Sequence, residues 1–278
     1  MKRIYTFGGA LVERNLTVAD IIQNKADGIK MTQVTARNAE ESKIISDQDV
    51  DMIITGSDWI VDVRQGAPNT FITAALFAGR YITNDEILKG AMIAAMEGAD
   101  SVLTPRGLGV VEMLANEGLA VQGHVGMVPS SSTKLGGLRT VGKTSDEAIR
   151  ILNDMRRLED AGAYGAEVEC VAEDALKEIS KHTSLVLNSL GSGSGGDVIF
   201  LFFEDICGET GDPPGKIPRH AMSWGDGAKI REQLDRERRK AIIGFHEAVK
   251  QGSFPDIDHT VSMLPGEKDL LLEALDNI

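Results

Sequence analysis

Residues 120–126 read Ala-Val-Gln-Gly-His-Val-Gly, and residues 166–171 read Ala-Glu-Val-Glu-Cys-Val. Each is a short apolar run that closes on small or polar residues. Between them, 145–159 opens Ser-Asp-Glu and carries Ile149, Ile151, Leu152, Met155 and Leu158 at helical spacing. A strand, an amphipathic helix and a second strand make the repeating unit of a parallel sheet. Runs of the same kind begin near Ile29 (IKMTQVT), Asp51 (DMIITG), Phe71 (FITAAL), Ser101 (SVLT), Ser184 (SLVLNSLG) and Val198 (VIFLFF), which brings the total to eight. Eight is the number a closed (β/α)8 TIM barrel requires.

The expected organisation is a single α/β domain over residues 1–278. It has an N-terminal capping segment at 1–28, the barrel at 29–220, and a C-terminal helical extension with a polar tail at 221–278. The helix at 84–97 opens Asn-Asp-Glu and is expected to turn Ile87, Met92, Ile93 and Met96 inward. A long charged helix is expected over 228–249. Two connections, 57–69 and 191–197, are too short for a full helix. An open doubly wound sheet shares the alternation, but it should place a Gly-rich loop after its first strand. Here that strand ends Val34-Thr35-Ala36-Arg37-Asn38.

Composition narrows the function. A chain of 278 residues with 42% hydrophobic and 26% charged residues can bury a large core, which excludes disorder. A formal net charge of -13 is the wrong sign for a duplex nucleic-acid binder. The two cysteines, Cys170 and Cys207, make neither a disulfide framework nor a zinc motif. With no secretory leader and no apolar run near the length of a membrane span, the expectation is a cytoplasmic protein without a membrane partner.

In a barrel the chemistry sits at the C-terminal ends of the strands. Read in order, those ends present Arg37, Ser57 and Asp58, Ala75, Arg106, His124, Glu169 and Ser192. Alternation sends Glu167 and Glu169 to one face. A carboxylate between Val168 and Cys170 should be desolvated, as a proton-abstracting base needs, or else form a structural ion pair. His124 stands between glycines and reads either as a ligand contact or as a hydrogen-bonded core residue. The Gly/Ser segment 191–196 could cradle an anion on its backbone N–H groups or serve as a plain linker. The long loop 129–139 could act as a lid or simply be solvated.

Taken together, Gly123-His124-Val125-Gly126-Met127-Val128-Pro129, Leu135-Gly136-Gly137, Val141-Gly142-Lys143, Val168-Glu169-Cys170-Val171 and Arg64-Gln65-Gly66-Ala67-Pro68-Asn69 resemble the motifs of the ketopantoate hydroxymethyltransferase family. The order and spacing agree from about residue 17 to 220. The resemblance implies a barrel of the phosphoenolpyruvate mutase and isocitrate lyase superfamily, assembled as a homo-oligomer. It also implies a glutamate that deprotonates the carbon beside the carbonyl of a small 2-oxo acid, with methylenetetrahydrofolate as co-substrate. By motif, Glu169 is that base and His124 is a group beside the substrate.

The family's magnesium ligands are a different matter. The resemblance places them at three strand ends, where this chain reads Gly56-Ser57-Asp58, Ala74-Ala75-Leu76-Phe77 and Val102-Leu103-Thr104-Pro105-Arg106-Gly107. One carboxylate, Asp58, remains as a candidate ligand, displaced by a residue, and a hard cation is not held well by so few oxygens. Arg37 and Arg106 are the expected replacements, binding substrate carboxylate or oxyanion unless they form surface ion pairs, with Ser57, Asp58 and Ser192 as further substrate contacts. Three readings follow. The first is a hydroxymethyltransferase-like enzyme that makes or cleaves a C–C bond through an enolate. The second is a metal-independent lyase or hydrolase of the same superfamily, and the third a barrel that binds a ligand without catalysis.

Overall fold

The computed structural model describes residues 1–77, 79–210 and 217–277. The chain divides into two compact units, Met1–Gly225 and Asp226–Ile278. In the first unit a hairpin of β1 (Lys2–Tyr5) and β2 (Leu11–Arg14) leads to α1 (Val18–Ala26). The alternation then runs β3 (Met31–Thr35), α2 (Ala39–Ser46), β4 (Met52–Gly56), α3 (Ile60–Gly66), β5 (Phe71–Ala75), α4 (Asn84–Met96), β6 (Ser101–Leu103) and α5 (Leu108–Asn116). It continues through β7 (Val121–Gly126), α6 (Ser145–Asp160), β8 (Gly165–Glu169), α7 (Glu173–Ile179), β9 (Val186–Leu190), β10 (Val198–Leu201) and the short α8 (Phe203–Ile206). Strands β3 to β10 are all parallel, and β10 pairs β3 to close the barrel. The (β/α)8 expectation holds, with each of the eight runs on a barrel strand.

Inside the barrel the side chains form layers. Met31, Met52, Phe71, Val186 and Val198 pack with Ile21 of α1 at the N-terminal ends of the strands. A polar layer follows, in which Asn188 donates to Gln33 Oε1 at 2.6 Å and Gln122 donates to the Tyr164 hydroxyl at 2.5 Å. Burial pushes the Tyr164 phenol up to about 12, as a dry interior should. Ile54, Ala75, Leu103, Leu190 and Phe200 make the uppermost layer.

Several local expectations need correction. The 57–69 connection does hold a helix: a 3-10 turn at Ser57–Trp59 runs into α3, which lies so close to α2 that a Cβ on Gly66 would meet Ala39 O at 2.1 Å. On α4 the buried face is Ile87, Gly90, Ala91, Ala94 and Ala95, while Ile93 and Met96 are exposed. Small residues let that helix approach the barrel, so the larger ones turn away. Its N-cap is Thr83, which forms a capping box with Glu86. On α6, Ile149 is exposed and the other four apolar residues are buried. Residues 191–197 stay short, with only a 3-10 turn at Gly193–Gly195.

The second unit consists of α9 (Gly227–Gln251), as expected for 228–249, followed by a turn at Ile257–His259 and α10 (Glu267–Leu275). The tail is therefore partly helical. Among the described residues no helix is long and apolar enough to cross a membrane.

One charged cluster fastens the N-terminal segment to the barrel. The Asp100 carboxylate accepts from Arg14 Nε at 2.7 Å, from Arg64 Nη2 at 2.7 Å and from the Ile72 N–H at 2.9 Å. Arg64 also donates to the carbonyls of Gly98, Ala67 and Thr70. Burial lowers the Arg64 guanidinium to about 10 against the pull of Asp100. Removing the one anion would leave two buried cations facing each other, which costs about 3–5 kcal/mol. Asp100→Ala should therefore lower unfolding stability by roughly that amount in urea titration, and an unchanged midpoint would show that the cluster does not stabilise the fold.

Candidate active site

The C-terminal ends of the barrel strands surround a cavity of about 430 Å³. Its wall is largely apolar, with Trp59, Phe77, Leu103, Leu190, Phe200 and Phe202 prominent. Among the described residues that line it, only Arg37, His124, Glu167 and Glu169 are ionisable. Val128, Pro129 and Ser130, at the start of the long loop after β7, complete part of the wall.

The three central side chains come from two adjacent strands. Register pairs His124 of β7 with Glu167 of β8, and Gly126 with Glu169. Gly126 has φ +88°, and a Cβ there would lie 2.4 Å from the Glu169 carbonyl oxygen. Without a side chain at that position, Met127 N–H can reach the same carbonyl at 2.8 Å. The chain then turns at Cys170, which takes a left-handed φ of 51° while its N–H donates to Leu190 O. Glu169 thus sits on backbone held from both neighbouring strands, beside a residue whose conformation costs on the order of 1 kcal/mol.

His124 Nε2 lies 3.0 Å from Glu169 Oε2 and 3.5 Å from Glu167 Oε1. Burial opposes charge on the ring, but the hydrogen bond to Glu169 and the fields of both carboxylates outweigh it, so His124 holds its proton more tightly than usual. Desolvation also acts on Glu167, whose side chain is 9% exposed against 19% for Glu169. Burial raises the Glu167 carboxyl, opposed by His124 and reinforced by Glu169. The desolvation expected at Glu169 thus falls more heavily on Glu167. Alternation had put both acids on the same face; the deeper of the two could have been read from its place two residues further into the strand.

The other expected site residues are dispersed. Arg37 lines the cavity with its guanidinium on Glu204. Arg106 turns to the carbonyls of Tyr81 at 2.5 Å and Ile82 at 3.2 Å and does not line the cavity. Ser57 is buried against the Tyr81 hydroxyl at 2.8 Å, and Asp58 pairs with Arg80. Ser192 is buried, accepting from Val171 N–H at 2.8 Å and donating to Val168 O at 2.8 Å. Ser57, Asp58 and Ser192 lie outside the cavity wall, and Ser192 braces the end of β8. In the Gly/Ser segment the anion's place is filled by Glu173, which pairs with Lys177 and accepts from Ser194; those contacts hold its carboxyl at about 2. The aromatic wall was not anticipated, because Trp59, Phe77 and Phe202 lie just beyond strand ends, where periodicity carries no signal.

The family's magnesium set does not fit these residues. Ala75 and Pro105 present apolar atoms to the cavity at two of the three strand ends concerned. At the third, Asp58 is exposed and engaged by Arg80. Hard cations need several oxygen ligands, and those positions do not supply them.

The chain resembles the 3-methyl-2-oxobutanoate hydroxymethyltransferase of Thermus thermophilus, with 35% identity over 202 residues, 71% of this chain and 73% of that protein. It is 26% identical over 281 residues to the enzyme of the same name from Lysinibacillus sphaericus, covering 92% of this chain and 97% of that one. Among solved structures, a phosphonomutase-like protein of Burkholderia cenocepacia J2315 shares the fold, with a TM-score of 0.55 and 11% identity over 67% of this chain and 92% of that chain. Residues 60–257 match the profile of ketopantoate hydroxymethyltransferase, and by the extent of that match this chain belongs to the ketopantoate hydroxymethyltransferase family.

Proposed function

We propose that this chain forms or cleaves a C–C bond next to the carbonyl of a small 2-oxo acid, through an enolate. The observation that carries the reading is the contact of Glu169 with His124, 3.0 Å apart, in the wall of an apolar cavity at the barrel mouth. An α-proton beside a carbonyl is weakly acidic, so its removal needs a base held in place and shielded from water. Glu169 takes that proton. His124 is a positioning residue: its Nε2 fixes the orientation of the carboxylate, and its own charge is favoured by the two acids around it.

The cavity volume suits a substrate with an aliphatic or aromatic chain, which the apolar wall would desolvate. Arg37 is the cation on the cavity wall, and it receives the substrate carboxylate by exchanging its Glu204 partner, whereas Arg106 does not line the cavity and turns to the Tyr81 and Ile82 carbonyls. The family likeness supports a one-carbon donor such as methylenetetrahydrofolate as second substrate, a homo-oligomeric assembly and a cytoplasmic setting. Loss of the family's metal positions favours proton abstraction without a metal, in which case a lyase acting on another small carboxylate would use the same groups.

Exchange of the α-proton of branched 2-oxo acids into deuterated water tests the reading, and the rate should not depend on added magnesium. Glu169→Gln should slow exchange by about 10²–10⁴-fold, the usual worth of a general base, while circular dichroism stays unchanged. Wild-type protein that exchanges none of these acids would remove the enolate reading. Arg37→Ala should raise the KM about tenfold, equivalent to about 1.4 kcal/mol of binding, whereas Arg106→Ala should leave it unchanged. The opposite pattern would return Arg106 to the site.

A further inference from the structure

The site contains two acids and one imidazole, and only one acid has been given a task. An enolate needs a base for the carbon-bound proton, and it also needs something to stabilise the charge that develops on oxygen. The strand-end positions of the family's metal ligands are not preserved here, although His124, Glu167 and Glu169 bring potential ligand atoms within 4.8 Å of one another, and the one guanidinium among the described lining residues stands on Glu204. What remains beside the imidazole is Glu167.

Its surroundings settle how many charges the cluster can hold. From β7 it faces His124, and from its own strand Glu169. Across β9 its register partner is the neutral Asn188, whose Oδ1 has no hydrogen-bond partner. The side chain is nine-tenths buried, and among the described residues its one ion-pair partner is His124 at 3.5 Å. A single Nε2 hydrogen cannot serve two carboxylates equally, and Glu169 is the nearer by half an ångström. An imidazolium balances one negative charge. The second acid is walled by apolar side chains, and that burial, reinforced by Glu169 and opposed by His124, raises its carboxyl above the ordinary range.

We propose that Glu167 is a catalytic acid, a neutral carboxyl that hands its proton to the carbonyl oxygen while Glu169 removes the proton from the adjacent carbon. This rests on the enolate reading above. In the step, the C–H bond breaks toward Glu169 and its electron pair becomes the C=C bond. The carbonyl π pair moves to oxygen and forms the O–H bond with the hydrogen released by Glu167. The product is a neutral enol, Glu169 is protonated and Glu167 ionised, so the total charge is unchanged and no co-reactant is consumed. Reversal returns both protons; attack of the enol carbon on an electrophile returns the oxygen-bound proton to Glu167.

Difference infrared spectroscopy of the resting protein at neutral pH reads the proton directly. A neutral carboxylic C=O stretch should be present in wild type, lost in Glu167→Gln and retained in Glu169→Gln; its absence from wild type, or its loss only with Glu169, overturns the assignment. Stability gives a second readout. A carboxyl that stays protonated in the folded chain but ionises at its ordinary 4.5 when unfolded leaves the unfolded state with fewer protons, so native stability falls as pH rises from 4.5 through the higher folded value. Wild type should lose stability relative to Glu167→Gln across that interval, and parallel profiles count against the proposal.

For the chemical role, Glu167→Leu should slow α-proton exchange by about 10²–10³-fold, the worth of one donor to a developing oxyanion, with Glu167→Gln in between. Wild-type exchange unaltered by Glu167→Leu overturns the role of Glu167 alone. Failure of wild type to exchange at all overturns the enolate reading and this role with it. Stoichiometric binding of Mn²⁺ by wild type, abolished in Glu167→Gln, would show that the cluster holds a cation in place of the proton and would also overturn the proposal.

Discussion

The pairing of β7 with β8 is the constraint on which the site depends. Because these strands run parallel and in register, His124 and Glu167 lie side by side on the inner face, and Gly126 lies beside Glu169. A slip of β8 by one residue would send Glu167 and Glu169 to the opposite face, toward the helices. That slip is opposed from both sides. On the outer face, Val125 and Val168 are buried under the surrounding helices, with Leu158 packed where a Cβ on Gly123 would be. Beyond the strand end, Met127 N–H and the Ser192 hydroxyl hold the backbone on either side of Cys170.

The closed barrel supplies the rest of the environment. Closure leaves no strand edge to satisfy, so the interior can be layered with apolar residues at both ends and hydrogen-bonded amides and hydroxyls between. Charge placed there is expensive unless it is paired. The cavity therefore selects its own protonation state, and the unusual feature is the second acid, since one imidazole and one carboxylate would already balance.

The strands were legible because their signal is local and periodic. Each of the eight runs ends near the barrel mouth, so position placed Glu169 and His124 among the candidates, and the motif resemblance singled them out from Ser57, Asp58, Arg106 and Ser192, which do not line the cavity. The helix faces were less legible. On α4 alanine and glycine form the contact, because closeness of approach outweighs hydrophobic size there, and a pattern that follows the largest side chains points the wrong way. The charged groups were the least legible. Arg64 stands in a segment that resembles a family motif, yet its work is to meet Asp100 and the Gly98 carbonyl from a distant turn, along with the nearby carbonyls of Ala67 and Thr70. Arg106 sits at a strand end but finds the Tyr81 and Ile82 carbonyls first. Which partner a long, flexible cation reaches is decided by tertiary distance, and no spacing in the sequence encodes it.

The same distinction bears on how this chain departs from its relatives' expected ligand set. A metal ion stabilises an oxyanion by charge, and it requires several oxygen atoms converging from different strands. A carboxyl that keeps its hydrogen requires only burial and a neighbouring negative charge, both of which two adjacent positions on one strand provide. Glu167 and Glu169, two residues apart on β8, meet that simpler requirement without help from β4, β5 or β6. The strand ends that would otherwise carry ligands are then free to take apolar residues such as Ala75, Leu103 and Pro105. Those residues in turn lower the polarity around Glu167, which strengthens its hold on the hydrogen. Among the described residues, the absence of carboxylates from the cavity wall at β4 to β6 and the pair of them on β8 are thus two aspects of one electrostatic arrangement.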